Sequence, residues 1–355
     1  MKQLIIRPIT HTVSIPLYLG SGLLQSPLIK ESIPQGPSKI VIVSDPSIKD
    51  LYAEDLAKDL DAVLLSLPTG PMIKTQATAT YLMDELFRVG AGRDTTLIAI
   101  GGGATTDVVG FVASIYMRGI PLILIPTTLL SMVDAAIGGK TGIDTPLGKN
   151  LLGTIYHPQA IFSDLDTLQT LPEKEWVNGL AEILKIGLIY DPSIFYQAVE
   201  NIKEQGLILK AIEGKIAIIQ QDPTEQSLRR ILNFGHTIGH ALERISEYAM
   251  PHGLAVAIGC AAEAYLSLHL GYLSPQDFAQ IDAMYQMLPL QLPSAYTRSK
   301  LFESMAYDKK KGSGKIRFVL IDRIGHAIPF TGEYCTAVTH QNLQSTLDWM
   351  ERSFA

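Results

Sequence analysis

The sequence is short of several things. It has only two cysteines, Cys260 and Cys335, far apart in 355 residues. Two such thiols make neither a disulfide framework nor a metal-type pair, and a reducing cytoplasm is the expected setting. Charged residues make up 18% of the chain and aromatic ones 7%. The formal net charge is −6, which excludes a general nucleic-acid surface but leaves room for a local basic pocket. Long apolar runs are missing too. The opening M-K-Q-L-I-I-R-P-I-T is too short in apolar residues for a signal peptide. The stretch from Ile120 to Val133 is interrupted by Pro121, Pro126 and two threonines, so no membrane span is expected. There is no internal repeat and no low-complexity linker.

What is present is ample core. The hydrophobic fraction is 47%, and at roughly 150 residues per domain the length suggests two domains. Apolar runs at Lys39 to Ser44, Val63 to Leu67, Leu97 to Ile100 and Pro121 to Ile125 predict strands. Helical patterns at Thr75 to Val89 and Ala104 to Tyr116 lie between them. That alternation implies a parallel sheet flanked by helices. The first 35 residues carry β-branched runs, with Gly20 and Gly22 in a hairpin or loop. The pattern becomes almost purely helical after Leu171-Pro172-Glu173, placing a boundary at Pro172 between 1–172 and 173–355. Near the end, Lys315 to Ile321 reads as a strand and Gln341 to Arg352 as a closing helix.

The chemistry is concentrated between Thr96 and Asn150. Gly101, Gly102 and Gly103 stand between a strand end and a helix N-terminus. Backbone free of Cβ atoms, with unpaired N–H groups and the positive end of a helix dipole, suits an anion such as a dinucleotide pyrophosphate. Thr127 and Thr128 follow the next strand with hydroxyls for a ligand. Asp134, Lys140, Lys149 and Asn150 lie on a segment too rich in glycine to be ordinary core. Asp45 ends an earlier strand, where it either holds a ribose hydroxyl or caps a helix.

In the second half, Trp176 to Tyr190 has an apolar stripe, with Glu182 and Lys185 three apart. Spacing alone reads this pair as a surface ion pair worth a few tenths of a kcal/mol. Arg229 to Glu243 carries His236 and His240 four apart, and His252 follows a helix end. Glu182, His236, His240 and His252 are therefore candidate ligands for one divalent metal. Arg118, Lys140, Lys149, Lys185, Lys215, Arg229, Lys309 and Lys310 form a cationic set suited to a small substrate bearing phosphate and carboxylate.

These motifs together resemble the 3-dehydroquinate synthase family of sugar phosphate cyclases over nearly the whole chain. They are G-G-G-A-T-T-D-V-V-G-F, Y-M-R-G, P-T-T-L-L, D-A-A-I-G-G-K-T-G-I-D-T-P-L-G-K-N, G-L-A-E-I-L-K, L-N-F-G-H-T-I-G-H-A and D-K-K, in that order. The resemblance implies an α/β, Rossmann-like NAD-binding N-terminal domain, an all-α metal-binding C-terminal domain and a homodimer. It implies Glu182, His236 and His252 as ligands of Zn or Co, with His240 on the substrate side. Substrate contacts would be Arg118, Asp134, Lys140, Asn150, Lys185, Lys215, Arg229, Asn233, His240 and one of Lys309 or Lys310. Glu225 would accept protons. NAD contacts would be Asp45, Lys74, the glycines 101 to 103, Asp107, Thr127, Thr128, Lys149 and Thr170. The implied reaction converts 3-deoxy-D-arabino-heptulosonate 7-phosphate to 3-dehydroquinate and phosphate. It runs through transient oxidation by NAD, phosphate elimination, re-reduction, ring opening and an intramolecular aldol closure. A related sugar phosphate cyclase or a metal-dependent polyol dehydrogenase is the alternative. The chain departs from the family pattern in three places: Pro71 for a carboxylate in Gly70-Pro71-Met72-Ile73-Lys74, Ser47 in Asp45-Pro46-Ser47, and Leu254 in His252-Gly253-Leu254.

Overall fold

The computed structural model describes residues 14–68, 73–145, 148–201, 204–309 and 316–355, with 306–309 as backbone alone. The first half contains strands β1 (Leu17–Gly20), β2 (Ile40–Ser44), β3 (Val63–Ser66), β4 (Thr96–Gly101), β5 (Leu122–Pro126), β6 (Lys140–Thr145), β7 (Gly148–Ile155) and β8 (Ala160–Asp164). Six of them form one parallel sheet in the order β1-β8-β5-β4-β2-β3. Every residue of β4 and β5 is buried, as a strand covered by helices on both faces requires. The chain runs from β2 outward to β3, then crosses back to lay β4 on the other side of β2. The strand order thus reverses between β2 and β4, and the carboxyl ends of two such strands are where sheets of this kind bind ligands.

Two features near the sheet complete the sequence reading. Of the two alternatives the loop holds: Gly20 ends β1, which pairs in parallel with β8, and Gly22 lies in the loop after it. Asp164 anchors that loop by accepting from the amides of Gly22 (3.1 Å) and Leu24 (2.8 Å). The glycine-rich segment after Ile137 is an antiparallel hairpin, β6–β7, lying against helix Gly103–Ile115.

From Glu173 the chain is mainly helical. It is not all-α, since strand pieces too short for a periodic signal pair at Arg317–Phe318 with Thr336–Ala337, and at Ile321–Arg323 with His326–Ala327. The expected strand from Lys315 to Ile321 is thus split, and residue 315 lies outside the described residues. Helix His252–His269 is the hub. It packs on helices Glu173–Ile189, His236–Ile245 and His340–Phe354. Small residues let it come close. A Cβ on Gly253 would stand 2.0 Å from the carbonyl oxygen of Asn178, and one on Gly259 would stand 1.9 Å from that of Gly235. Those are backbone clashes that no rotamer relieves. The two glycines therefore fix how near three ligand-bearing helices can lie.

Gly259→Ala is expected to lower unfolding free energy by about 1–3 kcal/mol through overpacking. Urea denaturation checks this, and an unchanged midpoint contradicts it.

Candidate active site

Glu182 lies mid-helix in Glu173–Ile189, while His236 and His252 are the first residues of their helices. Helix His236–Ile245 starts abruptly because Gly235 takes a left-handed φ of 79°. The ligand atoms of Glu182, His236 and His252 lie within 4.8 Å of one another. Glu182 Oε1 is 3.8 Å from His236 Nε2 and 3.5 Å from His252 Nε2. His236 turns Nδ1 to the carbonyl of Phe234 at 3.2 Å, and His252 turns Nδ1 to Glu243 Oε2 at 3.2 Å. With an acceptor at each Nδ1, both rings present Nε2 toward Glu182, the arrangement in which a metal-binding histidine is oriented by its other nitrogen. Beside the Lys185 ammonium, neither Glu182 oxygen has an aligned hydrogen-bond donor among the described residues, although the residue is 2% exposed. A buried carboxylate left this way beside two imidazole nitrogens fits a divalent cation.

A second group, His240, Glu243 and His252, also meets the distance condition. It suits a metal less well. Glu243 is already engaged by Lys149 Nζ at 2.6 Å and by His252. Glu243 therefore acts as the carboxylate that orients His252. Sequence reasoning missed it, although its place three residues after His240 on one helix face was a usable signal.

Lys185 pairs with Glu182, and both are 2% exposed. The spacing suggested a surface pair; the helix instead faces inward on this side, so breaking the pair leaves a charge without solvent. Burial raises the Glu182 carboxyl, but the Lys185 ammonium and the His252 ring outweigh it and hold it down at about 2. Burial lowers His252, but Glu182 and Glu243 on either side outweigh it and push it up to about 10. Burial, aided by Lys185, holds His236 well below its usual value and keeps it neutral.

One cleft of about 1130 Å³ joins this cluster to the sheet. Gly103, Ala104, Lys74 and Asp107 line one part, and His236, His240, His252, Lys185, Lys215, Arg229 and Asn233 another. The β6–β7 hairpin contributes Lys140, Asp144, Lys149 and Asn150. Each cleft lysine has a carboxylate partner: Lys74 with Asp107, Lys140 with Glu225, Lys149 with Glu243, Lys185 with Glu182, and Lys215 with Asp134. Asn150 also accepts from Lys74, and Asn233 donates to Glu225 at 3.0 Å. Asn150 and Glu225 hold left-handed φ values of 55° and 58°, backbone strain of the kind stored at functional sites. Arg229, 3% exposed, donates to the Pro223 carbonyl at 2.8 Å, and its Nε has no partner. Gly138 makes room for it, since a Cβ there would stand 2.8 Å from the guanidinium.

Other expected residues lie apart from the cleft lining. Asp45 accepts from the Ser47 amide at 2.7 Å and caps the helical turn after β2. Thr128 Oγ1 accepts from the Ser131 amide at 3.2 Å, and the Thr127 amide donates to Gly101 O at 2.9 Å. Thr170 meets the hydroxyl of Tyr52 at 2.6 Å. These follow β2, β5 and β8 on the sheet's carboxyl side, where Gly101 ends β4 and Gly102 follows it. Lys149 is drawn to the histidine cluster and also sits 4.6 Å over the Tyr248 ring. Arg118 is exposed beyond the far end of helix Gly103–Ile115, about 20 Å along the axis from the glycine turn. It is not brought to the cleft within one chain. The Lys309 side chain, Lys310 and Pro71 lie outside the described residues.

A parallel sheet with a glycine turn, sharing a cleft with a Glu-His-His cluster on helices, is an architecture seen in other enzymes. The fold is similar to that of 2-epi-5-epi-valiolone synthase from Streptomyces hygroscopicus, solved with NAD+ and Zn2+ bound. The TM-score is 0.85 at 28% identity, covering 98% of this chain and 99% of that one. Residues 64–178 match the 3-dehydroquinate synthase N-terminal family and residues 179–311 the 3-dehydroquinate synthase C-terminal family. A 3-dehydroquinate synthase from Neisseria meningitidis serogroup C is 40% identical, over 92% of this chain and 95% of its own length. One from Thermodesulfovibrio yellowstonii is 40% identical, over 81% of this chain and 85% of its own. The chain belongs to the 3-dehydroquinate synthase family.

The cluster makes a pH prediction. The raised His252 value contributes stability to metal-free protein that is full below pH 6.5 and is lost as the pH climbs to about 10. The lowered Glu182 value contributes stability present above pH 4.5 and lost as the pH falls toward about 2. Divalent metal must displace the His252 proton, so binding is expected to tighten with rising pH and to release protons at pH 7. Calorimetry in buffers of different ionisation enthalpy measures this; no release contradicts it.

Proposed function

We propose that this chain converts 3-deoxy-D-arabino-heptulosonate 7-phosphate to 3-dehydroquinate and phosphate, with NAD and a divalent metal, Zn or Co, as cofactors. The observation that carries the reading is the single cleft shared by the glycine turn and the Glu182, His236, His252 cluster. Residues 1–172 form the nucleotide half and 173–355 the metal and substrate half. NAD supplies a reversible oxidation and the metal a Lewis acid toward a substrate oxygen.

The protein's own residues hold and orient. Lys140, Lys215, Arg229 and Asn233 bind the substrate's phosphate and carboxylate from several sides of the cleft, Arg229 with a planar fork and the lysines as point charges. Lys185 donates to a substrate hydroxyl beside Glu182, and Asp134 keeps Lys215 aimed into the cleft through a second bond to its own carbonyl, 2.6 Å. Phosphate leaves as the C–O bond breaks and carries away the proton from the adjacent carbon. Glu225 and His240 exchange protons during ring opening and closure. Burial of Lys185, Lys215 and Arg229 keeps water from the deep side of the cleft, where the oxidised intermediate is held.

Arg118 does not line this cleft, and a second copy of the chain in a homodimer would supply it. No helix among the described residues is long and apolar enough to cross a membrane. A cytoplasmic location fits the free cysteines.

Two outcomes are expected. Chelation abolishes phosphate release, and Zn²⁺ or Co²⁺ restores it, with no net accumulation of NADH; accumulating NADH without phosphate indicates a dehydrogenase instead. Arg229→Lys keeps the charge but loses the fork, and is expected to lower kcat/KM about 10- to 100-fold with little change in Tm. Steady-state kinetics beside thermal melts decide it, and a kcat/KM within twofold or so of wild type removes Arg229 from its role.

A further inference from the structure

One buried acid is unused by the mechanism above. Glu263 lies at 0% exposure on helix His252–His269, nearly three turns after His252. Its Oε2 accepts from the Gly235 amide at 2.9 Å, and the amides of Thr237 and Ile238 face the same carboxyl. These are the donors that a helix N-terminus leaves without intrahelical partners. The helix begins at His236, and Gly235 before it has no side chain to cap them. The cap comes from across the helix–helix contact. Gly259, one turn before Glu263, leaves the space that admits the Gly235 carbonyl, and Cys260 blocks any side chain at 235.

We propose that Glu263 is a positioning residue of the metal centre, fixing the backbone on which His236 is presented. One helix thus supplies the ligand His252 directly and holds the ligand His236 at second hand. The two nitrogens keep their separation because Gly259 and Glu263 lock Gly235 against that helix. This inference rests on Glu182, His236 and His252 being the metal ligands.

The test measures Co²⁺ affinity by competition against a chromophoric chelator, in full-length wild type, Glu263→Gln and Glu263→Met. Gln keeps an acceptor and Met keeps only the volume. Ile281→Ala, a buried position on another helix, controls for lost stability. The expected result is roughly 10- to 100-fold weaker Co²⁺ binding in Glu263→Met, with Glu263→Gln and Ile281→Ala within about threefold of wild type. Wild type that binds no Co²⁺ defeats the ligand assignment itself. Wild type that binds, with Glu263→Met binding equally well, overturns the role of Glu263 alone. Should Glu263→Met not fold, amide exchange in metal-free wild type decides. The Gly235 and Thr237 amides are expected to exchange as slowly as the middle of helix His252–His269, and fast exchange overturns the proposal.

Discussion

Glu182 is a carboxylate held at 2% exposure in a helix of mostly apolar residues, and a charge so placed is tolerated only when opposite charge is brought to it. Much of the second half serves that condition. Lys185 rises from the next turn of the same helix. His236 and His252 arrive from two others, at the close approach that Gly253 and Gly259 allow. Glu243 sits behind His252, and Lys149 of the β6–β7 hairpin sits behind Glu243. The chain of contacts thus runs from a helix core to the hairpin that packs on helix Gly103–Ile115 beside the parallel sheet. A disturbance at Glu182 is therefore expected to be felt in both halves.

The pairing of each cleft lysine with a carboxylate has a consequence for recognition. The cleft does not present a bare positive field. A phosphate or carboxylate ligand must draw lysines from acids already in contact with them, so a ligand gains only the difference between two sets of charged bonds. Arg229 differs, since among the described residues its buried Nε has no partner and its fork donates to the Pro223 carbonyl. That difference makes Arg229 the group most ready for an anion. Poorly matched anions gain little from such a site, which favours specificity over raw affinity.

Much of this was legible in the chain. Leu97 to Ile100 followed by three glycines announced β4 and its turn, because a doubly covered strand has to be apolar throughout. The Glu182, His236 and His252 set was legible through motif order. Spacing alone left Glu182, His236, His240 and His252 open together; the coordinates divide them, grouping Glu182 with His236 and His252, and His240 with Glu243 and His252. The burial of Glu182 with Lys185 was not legible, because helical periodicity gives a face and not what covers it. The β6–β7 hairpin was hidden by its glycines, which weaken the alternating pattern that marks a strand. Arg118 matched its motif while lying about a helix length from the glycine turn and outside the cleft lining, a separation that only coordinates reveal. Glu263 carried no signal, since one acid among small apolar residues does not say which helix end it caps.

Two metal positions sharing His252 are geometrically open, and only one agrees with a Lewis acid seated between Glu182 and the cleft. Anomalous diffraction from crystals of the Zn²⁺-loaded protein separates them. The account predicts one peak per chain at about 2.0–2.2 Å from Glu182, His236 Nε2 and His252 Nε2. A peak instead among His240, Glu243 and His252 Nδ1, with Glu182 still paired only to Lys185, would contradict it.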